Sequence, residues 1–433
     1  MNEYDSEIVR AILKNGSFRM TQSLPDADVI LLNTCAIRES AHSRIHGRLG
    51  HVHQLKRRNP ALVVGLLGCM AQSLQEEILE RHPVVDLVVG PDSYKRLPRL
   101  IHAVCDAGGK GLEIDLSEYE TYSDVYPERR PGVNAWIACM RGCDNFCTFC
   151  VVPYTRGRER SRDPESVVAE ARRLAAEGYK QVTLLGQNVN SYRFDDTDFA
   201  ALLLRVADVD GIERVRFTSP HPKDFPRPLL HAIASHARVC KHIHLPLQAG
   251  SDRILERMRR TYTKQEFLAL VDEIRETIPE VCLSTDIICG FPGETEAEFE
   301  DTVDVVERVR FDSAFVFKYS ERRNTIAQRK FDDDVPDALK TARVVRVNAI
   351  QKAISLARNR DRIGRRVEVL LERPSRKSAD DLLGRDDGNR CVVVPRGDLK
   401  PGDFAQVRIE AASANTLLGH ALRGSLGRVR ERV

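Results

Sequence analysis

Long apolar runs are absent from this sequence of 433 residues, and their absence excludes a first class of protein. Nowhere do about 18 apolar residues follow one another, which is the length that a transmembrane helix needs. The first seven residues are polar and acidic, unlike the start of a signal peptide. We therefore expect a cytoplasmic protein with no membrane contact.

Charge of one sign is also lacking, because 66 Lys and Arg residues face 63 Asp and Glu residues. With 42% hydrophobic residues, the composition excludes a disordered chain, and the length suggests about three domains. The charge is uneven, however. Residues 362–433 carry 15 basic and 10 acidic side chains, a net charge of +5, whereas residues 1–361 carry 51 and 53, a net charge of −2. A basic end on a near-neutral body weakly favours a polyanionic partner.

An even set of cysteines is lacking as well. The chain has 11 cysteines, and an odd number in a protein expected in the cytoplasm argues against a disulfide framework. Some of these cysteines should therefore be metal ligands or reactive thiols, and the others ordinary core residues.

The first part of the chain has the pattern of a small α/β unit. Residues 3–13 have the apolar spacing of a helix, and helical stretches separate buried strands predicted at 29–33, 62–67 and 84–89. This order is typical of a parallel sheet. The following residues, 106–132, have the Gly-, Pro- and charge-rich composition of a linker.

Six strand–helix repeats follow the predicted linker. We expect their strands at 135–139, 181–185, 214–218, 242–247, 283–289 and 314–319. This rhythm predicts a partial (β/α)6 barrel, in which the chemistry lies at the C-terminal ends of the strands. A long helix at 337–361 then precedes short alternating strands at 367–371, 390–394 and 406–409, which predict a small OB-like β-barrel.

Three closely spaced thiols follow the first barrel strand. Cys143, Cys147 and Cys150 lie within eight residues, so that one tight loop can wrap them around an iron–sulfur cube and leave one iron open. The alternative is a structural zinc site, for which Cys139 is the only nearby fourth ligand.

This C-x3-C-x2-C spacing, with Phe149 before the last cysteine, resembles the cluster motif of the radical S-adenosylmethionine (SAM) enzymes. The resemblance implies that Cys143, Cys147 and Cys150 are the catalytic cluster ligands. It also implies a [4Fe–4S] cluster whose open iron binds SAM, and a radical, formed by reductive cleavage of SAM, that takes a hydrogen atom from the substrate.

Further motifs at the predicted strand ends resemble one branch of these enzymes, the methylthiotransferases. They are Leu-Gly-Gln-Asn-Val-Asn from residue 185, Thr-Ser-Pro-His-Pro from 218, His-Leu-Pro-Leu-Gln-Ala-Gly-Ser from 244 and Asp-Ile-Ile-Cys-Gly-Phe-Pro-Gly-Glu-Thr from 286. The resemblance implies a methylthiotransferase domain at 1–105, a linker at 106–132, a radical SAM core at 133–361 and an RNA-binding TRAM domain at 362–425. The polar and glycine positions suited to hold SAM are Gln187, Asn188, Gln248 and Gly290, and Phe149 of the cluster motif is a further candidate contact.

Two more cysteines follow buried strands of the first unit. Cys35 and Cys69 should face the same edge of a parallel sheet, although a cysteine in such a place is more often a small core residue. By resemblance, they match two of the three ligands of an auxiliary [4Fe–4S] cluster that supplies sulfur. The third family ligand would precede Met1, so we expect a start codon upstream of the one assigned; the rival expectation is an incomplete auxiliary cluster.

The resemblance is strongest to the methylthiotransferases that make 2-methylthio-N6-isopentenyladenosine at position 37 of tRNA. It implies a tRNA anticodon stem–loop as substrate, a reductant such as flavodoxin or ferredoxin, a sulfur or iron–sulfur delivery system and a monomeric enzyme. Two alternatives remain open at this point. One is a sister enzyme acting on threonylcarbamoyl-adenosine or on an aspartate of a ribosomal protein, and the other is a non-enzymatic RNA-binding zinc protein.

The basic end suggests where RNA would bind. Seven cations are candidates to face phosphates, namely Arg365, Arg366, Arg373, Arg376, Lys377, Arg385 and Arg390. His221 and His244 stand at predicted strand ends, and the sequence leaves open whether they contact a substrate or fill the core.

Overall fold

The computed structural model describes residues 1–35 and 39–422. Its helices, in chain order, are α1 (Asn2–Asn15), α2 (Glu39–Arg58), α3 (Cys69–Leu74), α4 (Glu76–Arg81), α5 (Leu97–Ala107), α6 (Val152–Arg156), α7 (Pro164–Ala176), α8 (Phe199–Ala207), α9 (Arg227–Ser235), α10 (Asp252–Arg257), α11 (Lys264–Thr277), α12 (Glu296–Val309), α13 (Ile326–Lys330) and α14 (Asp337–Arg360). Its strands are β1 (Val29–Thr34), β2 (Val63–Gly68), β3 (Leu87–Val89), β4 (Gly111–Glu113), β5 (Asn134–Ala138), β6 (Met140–Arg141), β7 (Arg160–Ser161), β8 (Gln181–Leu185), β9 (Arg193–Phe194), β10 (Thr197–Asp198), β11 (Arg214–Phe217), β12 (His242–His244), β13 (Cys282–Cys289), β14 (Ser313–Lys318), β15 (Arg366–Pro374), β16 (Asp381–Arg385), β17 (Cys391–Pro395), β18 (Phe404–Ala412) and β19 (Leu417–Ala421).

These elements fall into two units that do not follow the predicted domain order. Unit 1 contains Met1–Arg130, Ala138–Asp163 and Ser320–Phe331. Unit 2 contains Pro131–Ile137, Pro164–Tyr319 and Asp332–Val433. The loop that carries the three clustered cysteines therefore belongs to the same unit as the N-terminal sheet. In the part of the chain that is described, no helix is both long enough and apolar enough to cross a membrane.

Unit 1 is built on a parallel four-stranded sheet in the order β1-β2-β3-β4. The three predicted strands are present, although the third is shorter than expected. The linker prediction is wrong at Gly111–Glu113, which forms the fourth strand. A Cβ atom at Gly111 would lie 2.7 Å from the side chain of Leu87. The glycine that is typical of a linker therefore serves close strand packing here.

The six predicted strands of the (β/α) repeat are all present. They form two parallel sheets, in the orders β5-β8-β11 and β12-β13-β14, as expected for a partial barrel. Strand β12 ends at His244, three residues earlier than predicted, and Pro246, which lacks a backbone N–H donor, lies just beyond that end. Thr263 and Glu266 form a capping box at the start of α11.

The C-terminal segment is a closed five-stranded barrel in the order β15-β16-β17-β19-β18. The sequence predicts three of these strands and misses β16 and β19, whose charged and glycine residues weaken the alternating pattern. The small β-barrel prediction is confirmed. The core of this barrel consists of aliphatic side chains from all five strands, among them Val369, Leu382, Val392, Val407 and Leu417.

Within unit 2, the turn between β16 and β17 covers the N-terminal ends of the (β/α) strands. Arg214, fully buried at the start of β11, donates to the backbone oxygen of Arg385 at 2.6 Å. Arg216 donates to the backbone oxygens of Asp386 at 2.7 Å and Asp387 at 3.0 Å. Two buried guanidinium groups thus satisfy carbonyl oxygens that would otherwise be left unpaired.

The same turn corrects part of the RNA-binding prediction. Arg390 donates to Asp312 Oδ1 at 2.6 Å and pairs with Asp386 at 3.3 Å, and Arg385 donates to the backbone oxygen of Asn389 at 2.9 Å. Arg390 therefore holds the barrel against the strands and does not face a phosphate, whereas Arg385 is tied to its own turn and is 31% exposed. The remaining five predicted cations, Arg365, Arg366, Arg373, Arg376 and Lys377, are exposed.

Candidate iron–sulfur site

The three clustered cysteines lie on a loop closed by a short hairpin. β6 pairs antiparallel with β7, and the Cys143 N–H donates to the Gly157 oxygen at 3.2 Å. Gly142 has a φ of +81°, and a Cβ atom there would lie 1.9 Å from the Arg158 oxygen. Only glycine fits at this crossing, so the residue before the first cysteine is fixed by the loop path.

The loop buries its sulfur atoms. Cys143 and Cys147 are each 8% exposed, and Cys150 is partly exposed. Burial raises the pKa of Cys143 to about 12, although the N–H of Asn145 favours its thiolate. The backbone N–H of Val152 points at Cys150 Sγ at 3.5 Å. A sulfur-only donor set with backbone N–H groups fits an iron–sulfur cluster, because the metal deprotonates coordinating thiols.

The zinc alternative needs a fourth ligand near the loop. Over residues 1–35 and 39–422, no three Cys, His, Asp or Glu side chains are placed to hold a single metal ion together. Zinc requires four ligands around one point, whereas the corners of a cube receive their thiolates separately. Cys139, the predicted fourth zinc ligand, is fully buried, and burial raises its pKa to about 12.

The other two candidate cysteines follow neighbouring strands. Thr34 and Gly68 are paired in register at the ends of β1 and β2, so Cys35 and Cys69 leave the sheet side by side. Burial raises the pKa of Cys69, and the nearby Cys35 thiol acts in the same direction. Cys69 packs against Val151, the residue after Cys150. Unit 1 therefore brings both predicted cysteine sites into one region.

A cavity of about 320 Å³ adjoins this region. Its wall includes Met70, which follows Cys69, and Val151, which follows Cys150. Leu66 and Ile78 add apolar surface, and Arg323 adds a cation. Its volume lies at the lower end of the range of ligand pockets.

A buried ion cluster joins the two ends of the three-cysteine loop to the N-terminal helix. Asp5 is fully buried and accepts from Arg141 at 2.7 Å and from Arg156 at 2.5 Å. Burial opposes ionisation of Asp5, but the Arg156 and Arg141 guanidinium groups hold its pKa below the ordinary value. We call these three residues the Asp5 triad. With two cations and one anion, the triad leaves positive charge beside Cys69, whose thiolate Arg156 favours.

The predicted SAM contacts are divided between the units. Phe149 lies in unit 1, and Gln187, Asn188, Gln248 and Gly290 lie in unit 2. In the described part of the chain, the buried side-chain oxygen of Gln187 has no hydrogen-bond partner, as expected of an atom that waits for a ligand. Gln248 has a φ of +70°, which is uncommon for a residue with a side chain and clusters at functional sites.

Gly290 has a different reason for being glycine from the one that the sequence suggests. A Cβ atom there would lie 2.3 Å from Cγ of Lys340 on α14, so the glycine allows close helix packing. Its N–H donates to Glu294 at 2.7 Å.

The sequence left open whether His221 and His244, at the strand ends of unit 2, contact a substrate or fill the core. His221 is 6% exposed, and burial together with the Arg260 and Lys223 charges lowers its pKa to about 2. Its Nδ1 accepts from the N–H of Lys223, so the proton of the neutral ring lies on Nε2, which is buried without a partner among the described residues. A chain of contacts links His242, Ser284, His244 and Asp286.

Comparison with known proteins places these features in a class. Residues 137–306 match the radical SAM superfamily, residues 1–90 match the uncharacterized protein family UPF0004, and residues 360–422 match the TRAM domain. Parallel (β/α) strands, a buried three-cysteine loop and a TRAM barrel define the class as that of the radical SAM enzymes.

The relatives identify the family more closely. The tRNA-2-methylthio-N(6)-dimethylallyladenosine synthase of Bacteroides thetaiotaomicron is 46% identical over 97% of this chain and 93% of its own length. The synthase of the same name from Chloroherpeton thalassium is 46% identical over 98% and 94%, and that of Christiangramia forsetii 44% identical over 98% and 92%. The chain belongs to the family of tRNA-2-methylthio-N(6)-dimethylallyladenosine synthases.

Solved structures confirm the fold class. The radical SAM methyltransferase TsrM from Kitasatospora setae, with cobalamin and a [4Fe–4S] cluster bound, has a TM-score of 0.55 at 17% identity, covering 74% of this chain and 68% of that one. The same enzyme with tryptophan and a SAM analogue has a TM-score of 0.52 at 16% identity, covering 71% and 64%. At these identities, the likeness concerns the fold alone.

The Asp5 triad generates a stability prediction. We expect Asp5→Ala to lower the free energy of unfolding by about 3–5 kcal/mol, because two buried guanidinium groups lose their carboxylate. Since the pKa of Asp5 is held below its ordinary value, this contribution is present above about pH 4 and is lost as the pH falls further. Urea unfolding at several pH values measures it. Glu3→Ala, an exposed change on the same helix, should cost less than about 0.5 kcal/mol; equal losses would contradict the prediction.

Proposed function

We propose that this protein methylthiolates C2 of N6-isopentenyladenosine, also called dimethylallyladenosine, at position 37 beside the tRNA anticodon. The observation that carries the proposal is 46% identity over 97% of the chain to synthases named for that product. The buried cysteine loop and the TRAM barrel agree with it, since the reaction needs a radical source and an RNA contact. The product is 2-methylthio-N6-isopentenyladenosine.

The radical SAM family implies a [4Fe–4S] cluster and SAM, and Cys143, Cys147 and Cys150 are the residues that would hold the cluster. When bound, the cluster supplies the electron that cleaves SAM to a radical. The loop's contribution is to bury the thiols and exclude water, which would otherwise quench reactive species. Gln187, Asn188 and Gln248 would hold SAM's polar groups, and Phe149 and Gly290 are the other candidate contacts.

We assign the sulfur source to the second cysteine pair. Cys35 and Cys69 would be two of the ligands of an auxiliary [4Fe–4S] cluster. The positive charge of the Asp5 triad beside Cys69 supports this assignment, because thiolate-ligated clusters are anionic and gain from a nearby cation. A second SAM would supply the methyl group, a flavodoxin- or ferredoxin-type protein the electron, and a delivery system the replacement sulfur.

The TRAM barrel presents a short cationic row for RNA, formed by Arg366 and Arg408. These two exposed arginines pair in register on β15 and β18. His420, the register partner of Arg408 on β19, is engaged by Glu410 at 2.7 Å. A row of this kind suits the phosphate backbone of a tRNA anticodon stem–loop.

The reaction product tests the proposed function. The reconstituted protein, given SAM, a reductant and tRNA that carries isopentenyladenosine, should form 2-methylthio-N6-isopentenyladenosine, detected by mass spectrometry of the digested nucleosides. Product on threonylcarbamoyl-adenosine tRNA or on a ribosomal protein, with none on isopentenyladenosine, would instead identify a sister enzyme.

Metal content tests the assigned ligands. Cys143→Ala should lower the iron content of anaerobically reconstituted protein by about four atoms per chain, because one cube loses a ligand. Cys105, an exposed cysteine on α5, provides the matched control, and Cys105→Ala should leave iron and sulfide unchanged. Full iron in Cys143→Ala would remove this residue from the ligand set.

Salt dependence tests the cationic row. Arg408→Ala should weaken binding of the anticodon stem–loop and reduce the slope of log K against log salt by about one, as for one lost phosphate contact. Arg173→Ala removes an equally exposed cation from α7 and should change neither quantity. An unchanged slope in Arg408→Ala would place the RNA on another face.

A further inference from the structure

An aromatic side chain lies exposed on the second half of the (β/α) barrel. Phe315, in the middle of β14, is 53% exposed. Its chain neighbours Ala314 and Val316 pack against apolar side chains that include Phe299 of α12 and Val347 of α14. Since side chains alternate along a strand, Phe315 lies on the opposite face of the sheet, turned away from the outer helices.

The neighbouring strands place polar groups beside this ring. Asp286 of β13 pairs in register with Phe315, and its side chain is 31% exposed. The ring of His244 lies edge-on to Phe315, with 6.2 Å between the ring centroids. An accessible aromatic ring and an accessible carboxylate therefore stand next to each other on one sheet face.

His244 is held firmly between its partners. Its Nε2 lies 3.2 Å from Asp286 Oδ2, and its Nδ1 lies 2.9 Å from Ser284 Oγ. Ser284 in turn contacts His242 Nε2 at 3.0 Å. These contacts fix the orientation of the imidazole and of the Asp286 carboxylate, as a recognition site requires.

One end of this face is closed within unit 2. The turn between β16 and β17 contacts the beginnings of β11 and β14 through Arg216 and Arg390. At the start of β13, Cys282 lies so close to Gly388 that a Cβ atom there would be 2.1 Å from its sulfur. The exposed surface of Phe315 and Asp286 is therefore reached from the other direction, where the strands end and barrel enzymes bind their substrates.

We propose that Phe315 and the His244–Asp286 pair select the N6 substituent of the target adenosine. This inference rests on the proposed function. Phe315 receives the apolar dimethylallyl group, which gains from leaving water. Asp286 disfavours the threonylcarbamoyl group, which brings a carboxylate of the same charge. The contact with Phe315 strengthens binding of the dimethylallyl substrate, and the repulsion by Asp286 weakens binding of the threonylcarbamoyl substrate.

The test compares three stem–loop RNAs that differ only at N6 of the target adenosine: unmodified, dimethylallyl and threonylcarbamoyl. Kd is measured by fluorescence anisotropy on the reconstituted enzyme, and kcat/KM for C2 methylthiolation is measured alongside. Phe315→Ser should lower the preference for dimethylallyl over unmodified RNA by about tenfold or more, in line with lost contacts in an apolar pocket. Binding of the unmodified RNA should not change. Phe315→Leu should retain most of the preference.

Asp286→Asn tests the rejecting contact, because it keeps an oxygen for His244 and removes the charge. We expect tighter binding of the threonylcarbamoyl RNA and unchanged binding of the dimethylallyl RNA. Val345→Ser, which changes a 63% exposed apolar residue of α14, should leave the relative Kd and kcat/KM values of the three RNAs unchanged.

Failure of this inference can be told from failure of the proposed function. Wild-type enzyme that does not methylthiolate the dimethylallyl RNA refutes the function. Wild-type enzyme that does so, together with Phe315→Ser protein of normal iron content and unchanged RNA preference, refutes only the role of Phe315.

Discussion

Buried arginines are the constraint on which both units depend. A guanidinium group can leave water only if its donors find acceptors, and each unit meets this condition with distant parts of the chain. In unit 1, Arg141 and Arg156 converge on Asp5, far away in the sequence. In unit 2, Arg214 and Arg216 reach carbonyl oxygens of the C-terminal barrel. The long-range architecture is therefore fixed by polar contacts as well as by apolar packing.

These contacts also position the chemistry. The Asp5 triad ties the helix after Cys150 to the N-terminal helix and leaves positive charge at Cys69. The two cysteine sites thus lie in one region of unit 1, where Cys69 packs against Val151. In unit 2, the arginines that seat the small barrel close one end of the strands. The opposite strand ends, where barrel enzymes bind their substrates, are not covered by this turn.

The predictions succeeded where the local pattern carries the information. Alternating and continuous apolar runs revealed β8 and β13, and the spacing of Cys143, Cys147 and Cys150 identified the loop without any structure. They failed where distant packing decides. Gly111 belongs to a composition typical of linkers but lies in a strand, because Leu87 packs closely against it. Arg390 has the charge of an RNA contact but serves to seat the small barrel on the strands of unit 2.

The sequence by itself determined the fold class, the cluster loop and the family, since these depend on residue types at fixed spacing. Only the tertiary structure decided which side chains are available to ligands. The exposure of Phe315 follows from its place on the inner face of β14. Gln187 follows the end of β8, and its side-chain oxygen is buried with no hydrogen-bond partner among the described residues. A side chain is available to a ligand only if distant parts of the chain neither bury it nor occupy its hydrogen-bonding groups, and a local sequence pattern contains no information on these distant contacts.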